Sequence, residues 1–273
     1  MNTEYEKVTI AGTGAIATGV AATASTVSSV VVLARSDASI ERSRALAEKF
    51  CAKLEGGDPT RISYTTDRAE TAGSNLIVEA IVEDLDAKVE LHRNLAALSP
   101  DADIATTTSS LSVAAIAAGA GIGERFFGLH VFNPVTRMDL IELCLPEALE
   151  GSVGERARNF CAAIGKTAVE VPDIAGFVVN RLLFAYLFDA VRLLEESGLE
   201  PAAVDQCMKR GAGHPMGPLA LLDFVGFDVS IAIGQSLFAA TGEARHDPPA
   251  RLCELAADGK LGRKSGAGFF DYS

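Results

Sequence analysis

The segment Gly12-Thr13-Gly14-Ala15-Ile16-Ala17 follows a short β-branched run, Val8-Thr9-Ile10, and leads straight into a run of small residues suited to a helix. A G-x-G-x-x-G/A pattern between a strand and a helix leaves a chain few ways to fold. Gly12 permits the tight turn, Gly14 lets the backbone approach a pyrophosphate, and Ala17 lets the helix pack close to the strand. The amide groups of the first helical turn and the helix dipole then face an anion. Gly12, Gly14, Ala15, Ile16 and Ala17 are therefore read as the cradle of a dinucleotide, a bare glycine turn without a ligand being the plainer alternative.

The rest of the first 170 residues has the rhythm that this motif requires. Ser29 to Leu33, Asn75 to Ile81, Ile104 to Thr107, Phe126 to Val131 and Leu140 to Cys144 are apolar runs of strand length, several unbroken by polar residues as strands covered on both faces should be. Amphipathic stretches separate them, which predicts βαβ units around a parallel sheet. In Asp84 to Leu98, Leu85, Val89, His92 and Leu95 recur at helical spacing and leave Lys88, Glu90 and Arg93 for the wet face. The pattern changes at Pro172. From Gly176 it is helical throughout, over Phe177 to Ser197, Pro201 to Arg210, Gly217 to Val225, Phe227 to Thr241 and Pro248 to Asp258. The expected architecture is α/β, a doubly wound, mostly parallel sheet over residues 1–172, followed by a smaller all-helical domain over residues 173–273. No internal repeat is visible.

Charge narrows the function classes. With 24 basic against 36 acidic residues the formal charge is −12, which repels nucleic-acid phosphates and anionic lipid surfaces. The longest apolar stretch, Phe177 to Leu194, contains Asn180, Arg181, Asp189 and Arg192 and so reads as a buried helix rather than a membrane span. The N-terminal residues show no basic leader with an apolar stretch. Cys51, Cys144, Cys161, Cys207 and Cys253 are odd in number and widely spaced, suggesting neither a disulfide framework nor a metal site. The expectation is a cytoplasmic protein acting on a small molecule.

The end of the second strand bears on the cofactor. An NAD site places an acidic residue about 20 positions beyond the glycines to accept the ribose hydroxyls. Ala34 occupies that position here, and Arg35 and Ser36 follow. A guanidinium and a hydroxyl suit a ribose 2′-phosphate, with no carboxylate at Ala34 to repel it. NADP is favoured, with NAD as the alternative if Arg35 is only solvated and Asp37 reaches the ribose.

Of the four histidines, His92 and His246 carry no particular signal. His130 does, because it stands near the end of the Phe126 to Val131 strand, where open α/β sheets bind ligands. Glu142 lies on the next strand. A neutral imidazole takes a proton from an alcohol, and a carboxylate on its other nitrogen fixes the tautomer and stabilises the imidazolium. The pair suits alcohol oxidation, while a purely structural His–Glu pair is the alternative.

The chain resembles the 3-hydroxyacyl-CoA dehydrogenase family over essentially its whole length. The resemblance rests on the fingerprint from Gly12, Val78-Glu79-Ala80-Ile81-Val82-Glu83, Thr108-Ser109-Ser110-Leu111, Gly128 to Pro134, Gly176-Phe177-Val178-Val179-Asn180-Arg181, His214-Pro215-Met216-Gly217-Pro218 and Gly262-Arg263-Lys264-Ser265-Gly266. It implies a Rossmann-type domain followed by a helical domain that forms most of a homodimer interface. It implies His130 as general base, Glu142 as its orienting partner, and Ser109 and Asn180 as groups that hydrogen-bond the substrate around its C3 oxygen. Asn133 would support the histidine segment and contact substrate. Glu83, Lys88 and Thr107 match positions near the nicotinamide, and the substrate cleft would lie between the domains. Asn180 reads otherwise as a polar residue opening its helix, and Ser109 as the cap of a helix over Leu111 to Ala118.

Three departures qualify the resemblance. Ala34 replaces the acid, Thr107 stands where the family commonly has asparagine, and the stretch from Lys49 to Thr65 is shorter than the family's paired-helix arm, whose residues touch CoA. Gly56-Gly57-Asp58-Pro59 breaks that helix early, and Arg42, Arg44, Lys49 and Lys53 either offer positive charge to CoA or form a solvated helix face. The leading expectation is NAD(P)-dependent interconversion of a (S)-3-hydroxyacyl thioester and its 3-oxoacyl product. An acyl-carrier-protein thioester or a free hydroxy or sugar acid is the alternative substrate, and a noncatalytic cofactor-binding protein is the reading from another class.

Overall fold

A computed structural model describes residues 4–272. The chain divides into two compact units between Ile174 and Ala175. The first is built from β1 (Lys7–Ala11), α1 (Ala15–Ala24), β2 (Ser29–Leu33), α2 (Asp37–Cys51), β3 (Ile62–Thr65), β4 (Leu76–Glu79), α3 (Leu85–Leu98), β5 (Asp103–Thr106), α4 (Val113–Ala120), β6 (Phe126–Val131), β7 (Leu140–Cys144), α5 (Gly151–Ala163) and β8 (Thr167–Val171). The sheet order is β3-β2-β1-β4-β5-β6-β7-β8. β1 to β6 are parallel, β7 runs antiparallel to β6, and β8 is parallel to β7. This is the doubly wound Rossmann arrangement with two added strands, and its strand order reverses between β1 and β4, where such sheets bind ligands. The apolar runs become central strands because both faces are covered: all of β4, β5 and β6 is buried.

The buried core of this unit joins Val8, Ile10, Val32, Leu76, Val78 and Phe127 to α1, α5 and their neighbours. A polar tie crosses it. Tyr5 donates to Asp103 at 2.5 Å, and Arg156 of α5 makes a bidentate pair with the same carboxylate at 2.7 and 2.8 Å. β8 escaped the sequence reading because Thr167–Val171 is an edge strand, mostly exposed, with no apolar run to mark it.

α3 corrects a sequence expectation. Lys88 is buried together with His92, Leu95 and Ala96, whereas Leu85 is exposed. The helix buries a stripe containing a cation because a carboxylate, Glu79, is buried at the end of the neighbouring strand.

The second unit comprises α6 (Val179–Ser197), α7 (Pro201–Gly211), α8 (Pro218–Val225), α9 (Phe227–Thr241) and α10 (Ala250–Ala257). Its core is Phe184, Leu187, Phe188, Val191, Leu219, Leu222, Phe227, Leu237 and Leu252. Two buried aspartates organise its ends. Asp205 accepts from the Leu219 and Ala220 amides at the start of α8, and Asp223 accepts from Phe269 N–H, Phe270 N–H and the Tyr272 hydroxyl, holding the C-terminal segment. A side chain at Gly217 would collide with Asp205, which explains the glycine of the His214-to-Pro218 motif. The β-structure of this unit consists of isolated bridges at Gly262, Ala267 and Asp271.

Among the described residues no single helix is long and apolar enough to cross a membrane, although the bent pair α8 and α9 passes that test by length and composition. Among the same residues no group of three or more His, Cys, Asp or Glu side chains is placed to hold a metal ion, and all five cysteines are free thiols.

Candidate active site

The residues singled out in the first unit gather along the C-terminal ends of its strands. Gly12 follows β1 with φ +133°, and a Cβ there would stand 2.4 Å from the Ala80 carbonyl oxygen, so only glycine fits the turn. Gly14 is the N-cap of α1, and a Cβ built on it meets nothing within 4 Å, leaving the helix N-terminus open to a ligand. Ala15 and Ile16 form the first helical turn, whose amides have no partner within the helix. Ala17 is fully buried against the turn. This cradle fits a dinucleotide pyrophosphate.

At the end of β2, Ala34 is buried and its N–H donates to Thr65 O at 2.8 Å. Arg35 and Ser36 are exposed. Ser36 also caps α2, its hydroxyl accepting from the Ser39 amide at 3.4 Å. Arg42, Lys49 and Lys53 are exposed, and Arg44 lies 4.7 Å over the Tyr64 ring.

The end of β4 carries a buried polar network that sequence reasoning did not single out as one. Glu79 has no exposed surface, and it accepts from Lys88 Nζ at 2.6 Å, the Thr106 hydroxyl at 2.8 Å and the Ile81 amide at 2.7 Å. His92, one helical turn beyond Lys88, brings Nε2 to 3.3 Å from Glu79 without the alignment of a hydrogen bond, and its ring packs edge-on against Phe126. Lys88 also lies 3.3 Å from Glu83. The other Glu83 oxygen accepts from the Thr108 hydroxyl at 2.6 Å, the Ser109 and Ser110 amides at 2.9 and 3.0 Å, and the Ser110 hydroxyl at 2.9 Å. Glu83 thus shapes the loop after β5. Thr107 N–H, at the start of that loop, donates to Glu79 O. The i, i+4 spacing of Lys88 and His92, read together with the two glutamates flanking Ala80-Ile81-Val82, is the signal that could have found this network.

Electrostatics agree with the geometry. Burial pushes the Glu79 carboxyl up, but His92 and Lys88 outweigh it and bring it down to about 2 from 4.5. Burial likewise opposes ionisation of Glu83, and the Lys88 charge with the Thr108 to Ser110 donors overcomes it, leaving the carboxyl below its usual range. A depressed carboxylate contributes stability that is present above the unfolded value and lost as pH falls through the folded one. Between pH 5 and pH 3 the native protein is therefore expected to lose about 2 kcal/mol more stability than a Glu79→Gln variant, as the two proton affinities require. Denaturant titrations followed by far-UV circular dichroism at the two pH values check this, and equal losses in both proteins would remove Glu79 from the acid-sensitive groups.

Ser109 does not cap α4. Ser112 does, accepting from the Ala115 amide at 3.1 Å, and Asp173 adds a second cap by accepting from the Ser112 hydroxyl and the Val113 and Ala114 amides. The loop from Thr107 to Ser112 is thus held by a carboxylate at each end, and Ser109 is bound by the first of them, its amide and its hydroxyl donating to Glu83 at 2.9 and 3.4 Å.

His130 and Glu142 face each other directly across the antiparallel β6–β7 ladder. His130 Nδ1 lies 2.7 Å from Glu142 Oε2, and both side chains are buried. A carboxylate only accepts, so Nδ1 carries the proton and the basic lone pair is on Nε2. Asn133 is exposed two residues past β6. Asn180 stands in the first turn of α6, in the second unit, and is buried. It follows Gly176 and Phe177, both at positive φ, which form the turn that starts the helix. His246, set aside at the sequence level, is buried against Thr241 and the Arg181 carbonyl in the same unit.

The comparisons follow the same division. Residues 7–174 match the NAD binding domain of 3-hydroxyacyl-CoA dehydrogenase, and residues 176–272 match the C-terminal domain of that enzyme. The human mitochondrial hydroxyacyl-coenzyme A dehydrogenase is 38% identical over 97% of this chain and 90% of its own length. A probable 3-hydroxybutyryl-CoA dehydrogenase of Bacillus subtilis is 34% identical over 98% of both. The crystal structure of the (S)-3-hydroxybutyryl-CoA dehydrogenase of Ralstonia eutropha superimposes with a TM-score of 0.91 at 31% identity, covering 99% of this chain and 100% of that one. Two domain models that together span the chain, and relatives alike over nearly all of it, leave one assignment: the chain belongs to the 3-hydroxyacyl-CoA dehydrogenase family.

Proposed function

We propose that the protein interconverts a (S)-3-hydroxyacyl-CoA thioester and the 3-oxoacyl thioester with a nicotinamide dinucleotide, using His130 as the general base. The observation that carries this is the buried 2.7 Å contact between His130 and Glu142 at the ligand-binding end of the sheet. In the oxidative direction His130 Nε2 takes the proton of the C3 hydroxyl, and Glu142 stabilises the imidazolium through Nδ1–H. In reduction the same imidazolium returns the proton to the C3 oxygen. Ser109, on the loop clamped by Glu83, is the hydroxyl that hydrogen-bonds that oxygen, and Asn133 is a further substrate contact. Asn180 joins the substrate set by its match to the family motif.

Gly12, Gly14, Ala15, Ile16 and Ala17 hold the pyrophosphate, Arg35 and Ser36 the adenosine end, and Glu83, Lys88 and Thr107 the nicotinamide end. The bound dinucleotide supplies the acceptor or donor of the C3 hydride. For the adenosine end we infer NADP in preference to NAD, because no carboxylate stands at Ala34 and the exposed Arg35 guanidinium suits a 2′-phosphate. A homodimer in the cytoplasm belongs to the same reading. The exposed apolar residues Leu182, Leu193, Phe224 and Phe238 of the helical unit support self-association.

Reduced-cofactor absorbance during acetoacetyl-CoA reduction tests substrate and cofactor together. Turnover is expected with both cofactors, with kcat/KM for NADPH exceeding that for NADH. A preference for NADH keeps the enzyme class and removes the 2′-phosphate reading. Absence of turnover with either, alongside turnover of a carrier-protein thioester or a free hydroxy acid, overturns the CoA assignment.

A further inference from the structure

His246 carries no signal in the sequence, but its surroundings give it a task at the head of α6. The ring is fully buried, in the short 3₁₀ turn Ala244–His246. Its Nε2 lies 3.2 Å from the Arg181 carbonyl oxygen, and its Nδ1 lies 2.9 Å from the Thr241 hydroxyl. A carbonyl only accepts, so Nε2 carries a proton, and Nδ1 of the neutral ring accepts from Thr241. The Thr241 oxygen accepts in turn from the Glu243 amide at 3.2 Å. Both ring nitrogens are thereby used, and one of them ends on the residue that follows Asn180.

Arg181 is held from three sides. Its amide donates to the Gly176 carbonyl at 3.1 Å, its carbonyl accepts from His246, and its guanidinium pairs with Glu243 at 3.1 Å. Arg192, about three turns further along α6, donates to the Ala244 and Asp247 carbonyls at 3.0 and 2.6 Å and so clamps the 3₁₀ turn to the same helix. The chain entering α6 needs such support, because Phe177 stands at φ +44°, a region that a bulky side chain seldom adopts.

We propose that His246 is a positioning residue: its Nε2–H, on the Arg181 carbonyl, fixes the first turn of α6 and with it the Asn180 side chain. That Asn180 contacts substrate rests on the function proposed above; the hold on the turn does not. The effect is local, because Phe184, Leu187 and Phe188 seat the rest of α6 in the core.

Glutamine and asparagine at position 246 separate the two bonds of the ring. Glutamine puts its amide nitrogen near the place of Nε2 and still donates to Arg181, whereas asparagine is one methylene shorter, reaches only the Thr241 hydroxyl and leaves the carbonyl without that donor. In His246→Asn, hydrogen exchange of the Arg181 and Leu182 amides, which close the first turn on Gly176 and Val178, should quicken by about tenfold. Its kcat/KM for acetoacetyl-CoA should fall by about tenfold, as displacement of a substrate-binding group predicts. In His246→Gln both quantities should stay within about threefold of native, since the bond to Arg181 is kept. A residue that merely filled the core would not separate the two amides in this way. Should the asparagine variant fail to fold, Glu243→Gln loosens the same turn from a partly exposed site, and exchange of the same two amides is expected to quicken by about threefold.

Equal behaviour of the glutamine and asparagine variants overturns the proposal. Native exchange rates at Arg181 and Leu182 in the asparagine variant do so as well, or in Glu243→Gln where the asparagine variant does not fold. Quickened exchange with native kcat/KM overturns the positioning of Asn180. Asn180→Ala then shows which reading failed: a fully active alanine variant removes Asn180 from the substrate set, and an inactive one leaves the substrate reading intact.

Discussion

Replacing His130 by glutamine is expected to lower kcat for acetoacetyl-CoA reduction by about 10²- to 10⁴-fold, the range that a positioned acid–base group contributes. Glutamine is chosen because its amide can donate to Glu142, as the imidazole Nδ1–H does, so the buried carboxylate keeps a partner. What it lacks is a titratable nitrogen. His130 is one of several substrate-binding groups, with Ser109, Asn133 and Asn180, so KM values should change far less than kcat, the mark of an interaction made chiefly in the transition state. A variant with a native melting temperature that retains kcat within threefold would falsify the general-base assignment and leave the His130–Glu142 contact as a structural pair.

His130 and Glu142 were legible because chemistry and topology coincide in them. Phe126 to Val131 and Leu140 to Cys144 are apolar runs in which a histidine and a glutamate stand out, and antiparallel pairing through a short connection sets them opposite each other. Gly12 was legible for a similar reason, since a glycine between strand and helix signals a backbone that no other residue adopts. The Glu79–Lys88–His92 cluster was not. Lysine on a helix is ordinarily solvated, and nothing local to α3 reveals that a carboxylate on β4 is fully buried beside it. Only the sheet order, which sets β4 between β1 and β5, closes that carboxylate off from water. The alternative reading of Ser109 as a helix cap failed at the same level. Several serines precede α4, and which one caps it was settled by Glu83 and Asp173, far away in sequence.

The proposed NADP preference turns on Ala34, the residue that follows β2, and its reversal is the second large effect. Ala34→Asp places a carboxylate at the position where NAD sites accept the ribose hydroxyls and where a 2′-phosphate would bring at least one further negative charge. Two like charges about 5 Å apart at an effective dielectric near 20 repel by about 3 kcal/mol, or roughly 10² in an equilibrium constant. The ratio of kcat/KM for NADPH over NADH is therefore expected to fall by about 10²-fold or more in the variant, most of it through the KM for NADPH. Arg35→Ala is the complementary test. Removing one charge-assisted hydrogen bond to the phosphate should weaken NADPH by about tenfold and leave NADH nearly unchanged. The fold should tolerate both changes, because Arg35 is exposed and the β2 ladder at Ala34 is made by its backbone N–H to Thr65 O. If the native protein already prefers NADH and Arg35→Ala alters neither cofactor, Arg35 is a solvated surface residue. Asp37, in the first turn of α2, then becomes the acid that meets the ribose.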